Sequence, residues 1–229
     1  RLRLLSGSFV TGYGAFPVES LAFDSFGLFG ISGGAVYTDE ARDPDILRAT
    51  ADILVFLNRQ YPEDVFFLPE LRSLKDLTLE GGSGYALVVT TLKNRLLPEQ
   101  LRAALPLAPG IGATVYRKST GETVFVHEPS NENALIEVGS FGGRPVLAVM
   151  APDPESLRKT AAFVADPAHA GDVYGTLFIR RTDGAARSFD TRSQETGIRT
   201  LEPVAMAERI WFRYRGYILL GFWVLVTAL

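Results

Sequence analysis

Residues 145–164 read PVLAVMAPDPESLRKTAAFV, and this stretch decides the fold class. Its first six residues form a continuous apolar run, which is typical of a strand buried on both faces of a sheet. Asp153 then offers a carboxylate that can cap a helix, and Pro154 suits the first helical position. Apolar residues follow at helical spacing, at Leu157, Ala161 and Val164. The stretch therefore predicts a buried strand followed by an amphipathic helix.

The same pattern recurs upstream. Residues 85–90 (YALVVT) form a second continuous apolar strand, and Pro98 opens a predicted helix after it. Asp43-Pro44 repeats the helix-start signal behind a short strand candidate at residues 35–37. Residues 65–68 (VFFL) are a further strand candidate, which is ended by a proline.

Two predicted hairpins complete the pattern, one over residues 112–127 and one that joins residues 176–180 to 187–189 around Asp183-Gly184. Continuous apolar strands that alternate with helices favour a mostly parallel sheet with helices on both faces. We therefore predict one α/β domain over residues 33–191, doubly wound and flavodoxin-like. Residues 1–32, rich in Gly, Ser and Phe, fit the end of a preceding β-rich unit or a linker.

Composition excludes several classes of function. The 229-residue chain has a formal net charge of -3, so nothing favours nucleic acid as a partner. It has no cysteine, which rules out disulfides, thiolate catalysis and sulfur-ligated metals. The chain starts at Arg1, and we expect it to be a piece of a longer protein.

The glycine clusters do not predict a cofactor site. A phosphate cradle needs glycines between the end of a strand and the start of a helix. Residues 81–84 and 142–143 instead precede the apolar strands. We therefore predict no nucleotide or other cofactor.

The sequence gives little indication of catalytic residues either. Ser32 lies in GISGG, which matches the G-x-S-x-G pattern, but extended residues follow it where a nucleophile elbow needs a helix. We interpret Ser32 as a turn serine. His127 and His169 are each interpreted as a plain surface or hydrogen-bonding histidine. The acidic residues Glu128, Glu132 and Glu137 are interpreted as part of a solvated loop, and we predict no metal site and no catalysis.

The C-terminal run predicts a membrane anchor. Residues 217–229 read YILLGFWVLVTAL and carry no charge, and as a helix they would span roughly 20 Å of a bilayer core of about 30 Å. Tyr217 and Trp223 suit the boundary between water and lipid. We predict the start of a transmembrane helix, and a buried core helix is the alternative.

An amphipathic segment precedes the anchor. On a helical wheel, residues 204–216 place an aliphatic and aromatic face opposite an arginine-rich face, which is typical of a helix in the plane of a membrane surface. An ordinary surface helix is the alternative, and residues 192–203 would be a linker. The predicted membrane or partner contacts are Met206, Arg209, Ile210, Trp211, Phe212, Arg213, Tyr214, Arg215, Tyr217, Phe222 and Trp223.

In this order the segments resemble the C-terminal part of the periplasmic, membrane-anchored regulatory subunit (B subunit) of bacterial cellulose synthase. The stretches that carry the resemblance are residues 84–105 (GYALVVTTLKNRLLPEQLRAAL), 143–164, 171–191 (GDVYGTLFIRRTDGAARSFDT) and 208–223 (ERIWFRYRGYILLGFW). The family's interface segment is richer in tryptophan than this one.

The resemblance implies a non-catalytic subunit of the bacterial inner membrane, with its folded part in the periplasm and no flavin in its flavodoxin-like domain. It also implies that residues 1–32 end a jelly-roll carbohydrate-binding domain. The implied partners are the membrane-embedded catalytic cellulose synthase subunit, the lipid bilayer and the nascent glucan polymer. Two alternatives stay open, a membrane-anchored serine hydrolase that uses Ser32 and a stand-alone carbohydrate-binding module of the cell envelope.

Overall fold

A computed structural model describes residues 23, 34–38, 43–59, 69–78, 84–107, 112–127, 133–192 and 195–200. Ser32, the strand candidate at residues 65–68 and everything predicted for residues 201–229 lie outside these ranges. No helix among the described residues is both long enough and apolar enough to span a bilayer.

The described chain forms ten strands and three α-helices. The strands are β1 (Ala35–Tyr37), β2 (Glu70–Arg72), β3 (Ala86–Thr91), β4 (Ala113–Arg117), β5 (Thr123–His127), β6 (Ala134–Phe141), β7 (Arg144–Ala151), β8 (Leu177–Arg180), β9 (Ala186–Phe189) and β10 (Thr196–Thr200). The helices are α1 (Pro44–Asn58), α2 (Glu99–Ala104) and α3 (Pro154–Ala165).

Seven strands build a mixed sheet in the order β2-β1-β3-β7-β6-β8-β9. The first four pair in parallel, and β6, β8 and β9 extend the sheet in antiparallel fashion. The predicted α/β class is confirmed, whereas the prediction of a mostly parallel sheet holds for one half. A tight turn at Gly142-Gly143 joins β6 directly to β7. The two strands must therefore pair antiparallel, because parallel neighbours need a long crossover connection.

Helices and strands cover the two faces of this sheet differently. Helices α1 and α3 pack together on one face and bury the apolar side chains of β3, β6 and β7 beneath them. The other face is covered by α2 and by a second, antiparallel sheet in the order β10-β4-β5. Strand β3 is wholly buried and β7 is buried except at Pro145, so the predicted burial on both faces is confirmed for all but that position.

Two strands differ from the sequence-based expectation. Residues 134–141 form β6, so Glu137 is fully buried in a strand and the solvated-loop interpretation is wrong for it. Residues 196–200, in the predicted linker, form β10 and pair with β4. The observed β2 also begins just after Pro69 and is exposed along its length.

Phe23 is the one described residue among the first 32. Its amide donates to the Gly175 carbonyl at 2.8 Å, and its side chain is buried in the core under α1 and α3. The boundaries of the predicted domains stay predictions.

Both long helices begin as the sequence predicts. The Asp43 carboxylate accepts hydrogen bonds from the amides of Asp45 and Ile46, and the Asp153 carboxylate accepts one from the Ser156 amide at 2.8 Å. Each aspartate satisfies an amide that the helix itself leaves without a partner. Hydrogen bonds from Ser156 hold the pKa of Asp153 below its ordinary value.

Replacing Asp153 with Ala is expected to lower the free energy of unfolding by about 1 kcal/mol, because the cap is lost. Urea denaturation at pH 7 measures this change. Asp153→Asn keeps a capping oxygen and should stay close to the wild type. Since the folded pKa is lowered, the contribution of Asp153 should be present at pH 7 and fade as the pH falls through the acidic range. If Asp153→Ala and Asp153→Asn lowered the free energy of unfolding equally, the capping role would be contradicted.

Candidate functional site

Ligands of parallel α/β sheets usually bind beyond the carboxyl ends of the strands. After β3 this region forms hydrogen bonds within the chain itself. The Asn94 side-chain amide donates to Thr90 Oγ1 at 2.8 Å, and Arg102 Nη2 donates to the Asn94 carbonyl at 2.8 Å. The polar side chains at the carboxyl end of β3 are therefore already bonded within the chain.

A cleft of about 610 Å³ lies between the two sheets, within the range of small-molecule sites. We call it the inter-sheet cleft. Its lining comes from the end of α2, the middle of β6, the end of β4, the first half of β10 and the residues that flank the β8–β9 hairpin. The lining residues are Ala104, Leu105, Pro106, Tyr116, Lys118, Val138, Gly139, Thr176, Thr191, Arg192, Gly197 and Ile198.

Two glycines let the walls of the cleft approach each other. A Cβ at Gly139 would lie 2.9 Å from the Ala104 carbonyl oxygen, so the end of α2 sits directly on β6. A Cβ at Gly197 would lie 2.6 Å from the ring of Tyr116, which therefore packs on the β10 backbone. The Arg199 guanidinium lies 5.0 Å from the centre of that ring, a cation–π contact.

The polar groups of the cleft are hydroxyls and cations. Thr176 Oγ1 and Thr191 Oγ1 lie 2.8 Å apart. Arg192 is held by Asp190 through two hydrogen bonds, with Nε 2.9 Å from Oδ1 and Nη2 2.8 Å from Oδ2. This paired contact fixes the direction of the guanidinium plane. Lys118 is exposed at the end of β4.

A second cavity of about 240 Å³ lies beside Phe23, and we call it the Phe23 cavity. Its described lining residues are Phe23, Phe56, Arg59, Ala170, Val173, Tyr174, Gly175 and Arg192. Arg192 also lines the inter-sheet cleft.

Beneath the cleft, β6 carries a buried carboxyl group. Glu137 Oε2 accepts a hydrogen bond from the Leu107 amide at 2.7 Å, and Oε1 has no hydrogen-bond partner among the described residues. Burial disfavours the charged form and raises the pKa of Glu137 to about 8, although the Leu107 amide opposes this shift. The group is therefore mainly protonated at pH 7.

The two histidines have different surroundings. His127 is buried at the end of β5, so the surface interpretation fails for it. His169 Nδ1 lies 2.9 Å from Asp172 Oδ2 at an exposed position, and its ring stacks on Phe163 with centroids 3.8 Å apart. Within the described ranges, no cluster of three or more His, Asp or Glu residues could hold a metal ion.

No protein-family model matches the sequence. No curated protein is significantly similar to it. Interpretation of the site therefore depends on the chemistry of the residues.

The predicted contact residues between Met206 and Trp223 lie outside the described ranges, so their role stays a prediction. The structure instead brings together residues that the sequence does not connect. Lys118 comes from the β4–β5 hairpin, whereas the paired threonines and Arg192 flank the β8–β9 hairpin. In the sequence these residues are visible only as polar residues near hairpin ends. Such residues are common on protein surfaces and do not by themselves predict a site.

Proposed function

We propose that this chain is a non-catalytic, membrane-anchored subunit of a bacterial cellulose synthase complex. In this role the folded part lies in the periplasm, the segment 204–229 contacts the membrane-embedded catalytic subunit, and the domain helps to guide the nascent glucan. The observation that carries the proposal is the order of elements ahead of the apolar C-terminal run, which is the order that the sequence resemblance implies.

Three parts of the described fold support this order. Strand β3 leads into α2, β7 leads into α3, and the β8–β9 hairpin follows. Along the sheet, the four parallel strands lie in the order second, first, third, fourth. Flavodoxin-like sheets begin with this same order, which supports the finer assignment of the domain.

The apolar run supports an anchor on physical grounds. The run of thirteen uncharged residues is bounded on one side by arginines and aromatic side chains. Its transfer into lipid is favourable, because the side chains are mostly apolar and none is charged. Glycine and threonine within the run, at Gly221 and Thr227, allow another helix to approach closely. A partner helix in the bilayer would thus find a small residue at Gly221 with aromatic rings beside it.

Removing residues 204–229 is expected to abolish polymer synthesis by membranes that contain the catalytic subunit, while circular dichroism of the remaining chain stays unchanged. Radiolabelled glucose incorporation from UDP-glucose measures synthesis.

A matched control replaces residues 204–229 with an unrelated single-pass anchor. Membrane attachment should then return without synthesis, because the specific contacts are missing. Full synthesis by the truncated chain would disprove the proposal, and full synthesis by the chain with the unrelated anchor would disprove a specific contact.

A further inference from the structure

Helix α1 carries an apolar stripe on its outward surface. Leu47, Ala51 and Val55 follow each other at intervals of four residues, which places them on one face of the helix. All three are exposed, Leu47 by 42% and Val55 by 52%. The described residues leave only three other large apolar side chains exposed, and none of these lies in a helix. We call Leu47, Ala51 and Val55 the α1 stripe.

The neighbouring helix has a different outward surface. The exposed positions of α3 include Glu155 and Lys159, which form an ion pair with Nζ 2.7 Å from Oε1, and Ala162. Helices α1 and α3 pack against each other on the same face of the sheet. A surface helix that faces water usually presents polar residues, as α3 does. The α1 stripe is therefore better explained as a contact surface.

Charged residues flank the α1 stripe on one side. Arg48 and Asp52 each follow a stripe residue by one position, so both lie on the same flank of the helix. Neither forms an ion pair with a described residue, whereas Asp45 on the same flank is paired with Arg158 at 2.9 Å. Arg48 is exposed and Asp52 is half-buried. The stripe is thus accompanied by one cation and one anion that can both accept an outside partner.

A second copy of α1 in antiparallel orientation matches this pattern. At 1.5 Å per residue, Leu47 lies about 6 Å before Ala51 along the helix axis, and Val55 lies about 6 Å after it. A two-fold axis at Ala51 therefore sets Leu47 of each copy level with Val55 of the other. The same axis keeps the charged flanks together and leaves Arg48 about 3 Å, along the helix, from the level of the second copy's Asp52.

The surface is therefore complementary to itself, as an interface with two-fold symmetry requires. Apolar side chains meet apolar side chains, and each cation meets an anion. At the crossing point the small side chain of Ala51 lets the two helices approach closely. A parallel second copy would instead set each residue beside its own equivalent and would bring like charges together.

We propose that α1 is the contact surface between two copies of this chain, which pack antiparallel about Ala51 with Arg48 of each copy paired to Asp52 of the other. One helix from each copy makes a small interface, so the dimer is weak and forms as the concentration rises. The proposal goes beyond the synthase role, because the contact needs neither the anchor nor the catalytic subunit.

Sedimentation velocity of the full 229-residue chain tests the proposal, in a non-ionic detergent with micelles in large excess over protein. We expect a monomer–dimer equilibrium over a concentration series. Ala51→Glu sets two like charges against each other at the two-fold axis and should weaken the dimer about tenfold. Ala162→Glu makes the same change at an exposed position of α3 and should leave the equilibrium unchanged.

A charge exchange tests the antiparallel register. Arg48→Glu and Asp52→Arg should each weaken the dimer several-fold, because each variant sets like charges opposite one another. A chain that carries both substitutions has opposite charges facing each other again, and its dimer should return to the wild-type strength.

Disulfide crosslinking tests the same geometry. The chain has no cysteine, so a single introduced cysteine can form a disulfide only with another copy. Ala51→Cys should crosslink readily under mild oxidation with copper–phenanthroline in air, because the two-fold axis brings the two positions together. Ala162→Cys provides the control on α3 and should stay largely uncrosslinked.

Three outcomes would overturn the proposal. A wild-type chain that stays monomeric throughout the concentration series would show that a different partner covers the α1 stripe. A dimer that survives Ala51→Glu unchanged would place the contact elsewhere in the chain, the apolar C-terminal run included. A doubly substituted chain that fails to regain the wild-type association would rule out the antiparallel register.

Discussion

Replacing Glu137 with Gln is expected to remove most of the decline in stability that the wild-type protein shows between pH 4 and pH 8. The side chain is fully buried in β6, and its pKa is raised to about 8 because burial disfavours the carboxylate. In the unfolded chain the same group has its ordinary pKa of about 4.5. Between these values the folded protein holds a proton that the unfolded chain has lost.

The sign of the effect follows from this difference in bound protons. Stability falls with rising pH wherever the folded state binds more protons than the unfolded state. The contribution of neutral Glu137 is therefore complete below about pH 4.5 and is lost as the pH rises towards about 8. At 1.36 kcal/mol for each pH unit, the total loss is about 5 kcal/mol at most.

Urea denaturation of both proteins at half-unit steps of pH measures this effect. The amide of Gln has no proton to lose, so the variant should be several kcal/mol more stable than the wild type at pH 8 and similar to it at pH 4. Comparing the two curves cancels the contributions of all other ionisable groups, because both proteins contain them. Parallel curves for the two proteins would contradict a buried, neutral Glu137.

Replacing Gly175 with Ala is expected to destabilise the fold by about 3 kcal/mol, from backbone strain and overlap together. Gly175 has a φ of +76°, and a Cβ there would lie 2.5 Å from the Phe189 carbonyl oxygen and 2.8 Å from Asp190 Cα. Both neighbours are backbone atoms at the end of β9. They cannot move without breaking the hydrogen bond from the Thr176 amide to the Phe189 carbonyl.

Gly184 provides the matched control. It has a φ of +88° in the β8–β9 turn, and no atom lies within 4 Å of the position that a Cβ would take. Gly184→Ala should therefore cost only the conformational strain, about 1 kcal/mol. The difference between the two variants in the free energy of unfolding, measured by thermal or urea denaturation, gives the cost of the steric overlap at Gly175. Equal losses would show that the close approach to β9 is not maintained in solution.

The helices and the parallel strands are predictable from the sequence because their signals are local. An aspartate before a proline fixes the first turn of α1 and of α3, and the capping carboxylates lie within three residues of the amides they bind. The runs at residues 85–90 and 145–150 are apolar on both faces, so burial on both sides follows from composition alone. The β8–β9 hairpin follows from Asp183-Gly184 in the same way.

Strand β6 lacks such a signal. Its sequence, ALIEVGSF, contains a glutamate and a glycine, and the acidic residues around it favoured a loop. Glu137 is buried because the chain after α2 and the second sheet cover it, and the Leu107 amide, thirty positions away, satisfies one oxygen. Gly139 is needed because the end of α2 lies against it. Neither contact can be read from neighbouring residues.

The inter-sheet cleft depends still more on distant contacts. Its lining comes from the end of α2, the middle of β6, the end of β4 and the residues that flank the β8–β9 hairpin, and β10 joins them only by pairing with β4. The predicted membrane contacts at residues 206–223 are a different kind of inference, based on one continuous segment. They stay predictions that the truncation experiment tests.

The sequence by itself determined the α/β class, the capped helices, the apolar strands and the hairpin turns, because each depends on residues a few positions apart. Only the tertiary structure decided the antiparallel half of the sheet, the second sheet, the burial of Glu137 and the inter-sheet cleft. These features arise where separate segments meet, and the free energy of such contacts depends on burial and distance that local spacing does not encode.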